Sequence, residues 1–476
     1  MMVQWPLIGG FMLCLGGLVS PIVADADWPH WRGPNRDSIA RPSGRLLAWP
    51  QGGLTRLWVA NVGVGFSSMA VSQGRLFTMG NRGNQDTVYC LDATSGQYLW
   101  TFSYACELDP NLYQGGPSAT PTVEGGVVYT LSKFGHLFCF NVTNGAVVWR
   151  TNLISDLGLQ KPEWGFAGSP VIEGPKLLLN AGGHGLALDK TNGQVIWLSD
   201  TRRAGYSTLV PFDLDGVRAG VMLGYTNVIC VALDDGHLLS QVFWRSAFDM
   251  NCPDPIIHNG RILATSVSKS ARLIQPENGQ FVAGFPTVDL KTHLSPGVVI
   301  SNHLYAFHGD AEQSGALRCV DLQTGAVRWT TPLPVGSLIA ADGKLIVLTG
   351  GGELILAQVT PSEFAPISRF RALSGRCWTM PALASDRLFL RNAYGDVAAF
   401  SLVVESPPRL QVREHGSALE ITWPTNAAEF DLESSFSIAP GAVWGEARET
   451  PTIETGMFRV SVSSADSNRF FRLKKP

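Results

Sequence analysis

The chain has 476 residues, 45% of them hydrophobic and 16% charged, against roughly 25% charged in an average soluble domain. Its 36 Lys and Arg against 39 Asp and Glu leave a net charge of -3, with no basic block or stripe, which excludes the electrostatic footprint of a nucleic-acid binder. The 51 glycines and 14 tryptophans mark a turn-rich, aromatic-rich globular protein, in which repeats must be sought before domains are counted.

Residues 7–19 are apolar, and Ala24-Asp25-Ala26 offers the small residues of a signal-peptidase site. Residues 1–26 are therefore read as a cleavable signal peptide, with no transmembrane span expected after its removal. The residues before the apolar run include no Lys or Arg, so an uncleaved N-terminal anchor is the other reading. Bulky Leu13 ahead of Cys14 argues against lipidation there. Export implies a secreted or periplasmic protein. Cleavage leaves seven cysteines with neither a CxxC pair nor a CxxCH run, which excludes the common zinc modules and a c-type haem.

Self-similarity then appears along the chain. Residues 89–100 (YCLDATSGQYLW), 138–149 (FCFNVTNGAVVW), 186–197 (LALDKTNGQVIW) and 318–329 (RCVDLQTGAVRW) share an Asp or Asn, a Gly four residues later and a Trp four beyond that. Degenerate copies stand at 231–244 and 273–281. The Asp or Asn side chain suits a cap on backbone N–H groups just ahead, Gly supplies a positive φ, and Trp packs between neighbouring sheets. Small-residue strands begin near Gly65, Gly115, Gly165, Gly205, Asn251, His293, Gly336 and Arg376, about 40–50 residues apart, and each is followed by a turn and an apolar strand.

Four strands per repeat predict an all-β fold, an eight-bladed β-propeller over residues 27–404. The last unit, ending at 396–402, is one strand short, while 54–58 is a Trp-bearing strand without a unit of its own. Pairing the two closes the ring with N- and C-terminal strands and removes an open sheet edge. A solenoid would require polar capping repeats, and none is found. After Glu405-Ser406-Pro407-Pro408 the alternation changes, and residues 405–476 read as a separate small β-sandwich.

The Asp/Asn-to-Trp hairpins, with the opening run 27–35 (DWPHWRGPN), resemble the pyrroloquinoline-quinone-like (PQQ-like) β-propeller family over about residues 27–404. The C-terminal segment is similar to fibronectin-III-like modules of secreted bacterial proteins. The resemblance implies fold more than function, since the family holds quinoprotein dehydrogenases, a non-enzymatic scaffold of outer-membrane protein assembly and other secreted chains. A dehydrogenase of this family implies PQQ with calcium held by carboxylate and amide side chains, an aspartate base and often an adjacent-cysteine disulfide. This chain has no Cys-Cys dipeptide. Glu163, Asp249, Asp254 and Asp310 are the acids placed near the relevant face, and none stands in a catalytic motif.

Counting strands A to D outward from the axis, A–B and C–D turns share one face of a propeller, and B–C loops and D–A connections share the other. Asp92, Asn141, Asp189 and Asp321 are then structural caps. Inner-strand entries place Phe66, Trp164, Phe166, Tyr206, His293 and Trp378 around the opposite mouth, with Arg376 beside them. Two readings stay open: a pocket for a planar or anionic ligand, with Arg376 or Lys269 pairing a carboxylate, or a plug of packed aromatics. B–C loops add Lys133, His136, His184, Asn227, Lys269, His308, Asp310, Glu312 and Arg391. His184, His293 and His308 lack the local spacing of a metal triad. Cys90, Cys139 and Cys319 take one buried strand-C position and are read as structural thiols.

The expectation is a non-catalytic binding or scaffold protein that uses its B–C/D–A loop face, with no cofactor. Its partner is a protein, a polymer or a small ligand. The alternatives are a PQQ- and calcium-dependent oxidoreductase, or a scaffold similar to the propeller of outer-membrane protein assembly.

Overall fold

Each repeat turn is closed by the residue that opens it. Asp92 Oδ1 accepts from the backbone N–H groups of Thr94 and Ser95 at 2.9 and 2.8 Å, and Asn141 Oδ1 does so from Thr143 and Asn144 at 2.8 and 3.3 Å. Asp189 and Asp321 make the same contacts. These are backbone caps, as the repetition at one turn position implies.

The tryptophan that ends each hairpin docks on the next repeat. The Trp100 indole donates to Val142 O at 2.9 Å, Trp149 to Lys190 O at 2.9 Å, and Trp197 to Leu233 O at 3.1 Å. In these three the acceptor lies three residues before the neighbouring turn glycine; Trp329 docks likewise on Thr360 O at 3.0 Å, where no such glycine follows. A Cβ on Gly145 would stand 2.6 Å from the Trp100 ring, and one on Gly193 would stand 2.6 Å from the Trp149 ring. Glycine is thus needed twice, for positive φ of 71° and 76° and for a face flat enough to receive an indole.

These units assemble in a computed structural model that describes residues 27–40, 49–50, 52–277, 280–403, 408–416, 418–463 and 469–474. The expected signal peptide, residues 1–26, lies outside the described residues. By internal contacts the chain divides into two compact units, 1–402 and 403–476. Among the described residues of the first, eight four-stranded antiparallel sheets follow one another. Blades 1 to 7 span 70–105, 122–152, 171–198, 210–243, 256–288, 298–332 and 337–371. Blade 8 combines three strands over 382–401 with Arg56–Asn61, which pairs antiparallel with Asp396–Ser401 as the outermost strand.

The core lies in the seams. Blades 3 and 4, for example, share Leu178, Ala187 and Trp197 with Leu209, Met222 and Ile229. Equivalent clusters join each blade to the next, back to the one that links blades 7, 8 and 1. Because the seams consume the apolar faces, little charge is required inside the ring. Arg391 of blade 8 is fully buried at the closing seam. Its guanidinium donates to Ser67 O at 2.6 Å, Thr78 Oγ1 at 2.8 Å, Met79 O at 2.6 Å and Gly63 O at 3.2 Å. The sequence places Arg391 in a mouth loop; its side chain instead turns inward, where only a five-donor group satisfies so many buried carbonyls.

Around the axis runs a second ladder. Ser68, Thr120, Ser169, Thr208 and Asp254 each stand two residues before an inner strand. The backbone N–H of each of the first four donates to the side-chain oxygen of the next, at 3.2, 3.0, 3.1 and 2.7 Å. The ladder thus starts on hydroxyls and ends on a carboxylate.

Residues 27–40 form a strap beneath the ring, on the A–B turn side. Trp28 bridges Val71 of blade 1, the Val123 N–H of blade 2 donates to Pro29 O at 2.8 Å, and Ile39 bridges Ala340 of blade 7. The second unit holds two antiparallel sheets, of four and three strands, over a small core that includes Ile421, Trp423, Leu432 and Val460. No helix among the described residues is long and apolar enough to cross a membrane.

Candidate functional site

The D–A connections open on the face opposite the strap, and the longest are residues 106–121 and 153–170. There the ring encloses a cavity of about 540 Å³, within the range of small-molecule sites. Its wall is an arc of rings. Tyr113 lies 6.0 Å from Trp164 and 5.4 Å from Phe66, Phe66 stacks on Trp378 at 5.5 Å, and Trp378 lies 6.4 Å from His293. Tyr206 continues the arc, its hydroxyl oxygen accepting the Trp164 backbone N–H at 3.4 Å.

The floor is Trp31, from the strap. Its indole N–H donates to Asp254 Oδ2 at 2.7 Å, and the buried Arg32 guanidinium stands 3.9 Å from the same oxygen. Burial raises the Asp254 pKa while Arg32 opposes the shift. At the rim, Leu112 and Phe248 line the cavity yet are 84% and 79% exposed. Both are non-glycine residues at positive φ, 60° and 55°, a strained state that persists where the surroundings impose it.

Five residues proposed from sequence, Phe66, Trp164, Tyr206, His293 and Trp378, line this one cavity. Two do not. Phe166 is 2% exposed and packs in the seam of blades 2 and 3 with Leu137, Leu153 and Leu159. Alternation sends it there, since the neighbouring Ala167 takes the cavity side. Arg376 lies beyond Trp378, in a separate cleft of about 250 Å³. Its guanidinium covers the Trp378 ring at 4.1 Å, donates to Gln114 Oε1 at 3.0 Å and pairs with Glu312 at 2.9 Å. Lys269 is over Phe243 and Trp244 at 5.5 and 5.3 Å, not in the lining.

Lys133 is 2% exposed and serves the wall. It bonds Asp109 O at 2.7 Å and the Asp109 carboxylate at 3.0 Å, and lies 4.9 Å from the Tyr113 ring. That contact pins the 106–121 insertion over the mouth. Tyr113, Trp31 and Phe248 escape the sequence reading because no repeat position marks them; the length of the D–A insertion and the opening WPHW run are the only signals. The sequence marks Asp254 as an acid near this face but carries no sign of its place at the end of the hydroxyl ladder.

Among the described residues no three His, Cys, Asp or Glu side chains converge as metal ligands, and His184, His293 and His308 do not meet. All seven described cysteines are free thiols. Cys90, Cys139 and Cys319 sit opposite Trp100, Trp149 and Trp329 in the strand register, and burial raises their pKa values to about 11, 12 and 11, the mark of inert core thiols. PQQ with calcium would require converging oxygen donors for the ion and cations for the quinone carboxylates. Among the described residues the charged ones of the lining are Asp254, Asp310 and Glu312, all acidic and not grouped, so the lining does not fit that group.

The family model described as outer membrane protein assembly factor BamB matches residues 84–331. No curated protein matches the chain. Among solved structures, BamB from Moraxella catarrhalis is similar at 14% identity and a TM-score of 0.55, over 73% of this chain and 99% of that one. Quinohemoprotein alcohol dehydrogenase from Comamonas testosteroni is similar at 13% identity and a TM-score of 0.57, over 82% of each chain. The computationally designed Ika8 protein follows at 10% identity and a TM-score of 0.51, over 73% of this chain and 100% of that one. At such identities the likeness shows the fold. With the hairpins, the seams and a family match over more than half of its residues, the chain belongs to the PQQ-like β-propeller family of BamB.

Proposed function

We propose that the chain is an exported, non-catalytic binding protein whose axial mouth, on the B–C/D–A face, captures a ligand. One observation carries this reading. The aromatic arc from Tyr206 to His293 borders an open cavity of about 540 Å³ rather than filling it, and the channel beneath is closed by the strap. A concave space with an aromatic wall and polar groups at set positions is the usual form of a small-molecule site.

A neutral aromatic probe such as N-phenyl-1-naphthylamine tests it. Its fluorescence should rise on binding to the full chain, and Trp164→Ala and Trp378→Ala should each weaken binding several-fold without loss of the folded near-ultraviolet signal. If both variants unfold, the rings are structural packing and the reading fails. PQQ with calcium should change neither absorbance nor melting temperature.

A second reading keeps the same face but gives it a protein partner. The family description, outer membrane protein assembly factor BamB, and the exposed rim residues Leu112 and Phe248 support it. Co-purification of membrane β-barrel assembly factors with the wild type, lost in a Leu112→Ser, Phe248→Ser double variant, would favour this reading.

A further inference from the structure

The sign of charge around the cavity points to a ligand class. The two cations that would have favoured an anion are spent elsewhere: Arg376 on Glu312, Gln114 and the far face of Trp378, and Lys269 on the rings of Phe243 and Trp244. Among the described residues no Lys or Arg borders the cavity. Of its three acids, Asp254 has Arg32 behind it and Glu312 has Arg376.

Asp310 is the one left over. Its Oδ1 accepts the Glu312 N–H at 3.0 Å, and Gln313 Nε2 donates to its Oδ2 at 3.3 Å, both neutral donors. His293 Nδ1 stands 3.2 Å from Oδ1, but the same Nδ1 accepts the Ala311 N–H at 3.1 Å. That bond assigns the imidazole proton to Nε2, and burial lowers the ring's pKa. The histidine is therefore neutral at pH 7 and does not cancel the carboxylate.

The Asp310 charge thus borders the same space as the arc of π faces, which attract cations through the ring quadrupole. We infer, building on the reading of the cavity as a binding site, that its ligand is an organic cation. A quaternary ammonium or protonated amine would place its alkyl shell against Phe66 and Trp378 and its charge toward Asp310. A carboxylate ligand would face acids with no cation on the lining.

Three probes of similar bulk separate the outcomes: phenyltrimethylammonium, its neutral isostere tert-butylbenzene, and benzoate, each titrated into the full chain and followed by tryptophan fluorescence and calorimetry. The cation should bind about tenfold tighter than the isostere, and benzoate should be the weakest. Asp310→Asn, which keeps the acceptor for the Glu312 N–H, should remove the preference while leaving tert-butylbenzene binding and melting temperature unchanged; Asp310→Ser serves if Asn does not fold. Benzoate binding as tightly as the cation, or a preference that survives both variants, overturns the charge assignment but leaves the binding site standing. If none of the three binds, the binding reading itself falls.

Discussion

The Trp31 indole nitrogen lies 2.7 Å from Asp254 Oδ2, joining the strap to the start of blade 5 across 223 positions of sequence. One carboxylate thereby ends the axial ladder, through the Thr208 N–H at 2.7 Å, and seals the cavity floor. Asp254→Ala should cost about 3–5 kcal/mol, because it leaves Arg32 buried without its counter-charge. Asp254→Asn, which preserves an acceptor, should cost less. Urea denaturation of the two variants is the comparison: both remove the charge, so the difference between them measures the acceptor, and equal losses would show that the acceptor contributes nothing beside the charge.

Acid should loosen the same strap. Burial, with Arg36 nearby, lowers the His30 pKa to about 3, while the unfolded residue titrates near 6.5. Between these values the unfolded state binds more protons, so this contribution to stability is present above pH ~6.5 and is lost as pH falls toward ~3. Between pH 7 and 4.5 the loss should be about 2–3 kcal/mol, and His30→Gln should flatten that part of the urea midpoint profile.

Gly145→Ala and Gly125→Ala separate backbone strain from indole docking. Both glycines have positive φ, 71° and 57°, but a Cβ meets nothing within 4 Å at Gly125 and the Trp100 ring at Gly145. Gly125→Ala should cost about 1–2 kcal/mol. Gly145→Ala should cost about 1–3 kcal/mol more through overpacking, with a shift in Trp100 fluorescence that the first variant lacks.

Arg391→Met should destabilise by about 1–3 kcal/mol. It withdraws the guanidinium donors from the carbonyls of Met79 and Gly63 in the closing seam and leaves Ser67 O with the Thr78 hydroxyl alone. Arg391→Lys should recover little, since one ammonium does not reproduce two donor nitrogens spread over four acceptors. Hydrogen exchange should rise first in Arg56–Asn61 and its partner strand Asp396–Ser401.

What was legible in the sequence is whatever repetition encodes. Asp92, Asn141, Asp189 and Asp321 cap their turns because each needs only neighbours two or three residues away. The completing strand was likewise legible, since Trp58 lacked a unit and the last unit lacked a strand. The aromatic mouth was legible in outline through the inner-strand entries, but Phe166 turns into the seam, and Arg376, beside Trp378 as expected, pairs with Glu312 instead of facing the cavity. A one-residue change of phase moves a side chain from the axis to the seam, and nothing local shows that Glu312, 64 positions away, claims the arginine.

The sequence by itself determined the strand order, the turn chemistry and the closure of the ring, because hairpins and blade seams are written in short repeated spacings. Only the tertiary structure decided that the mouth is open, that the strap closes the other end, and that the lining is acidic. These properties depend on side chains brought together from five or more blades, where burial and long-range pairing, not spacing, set which charges remain free.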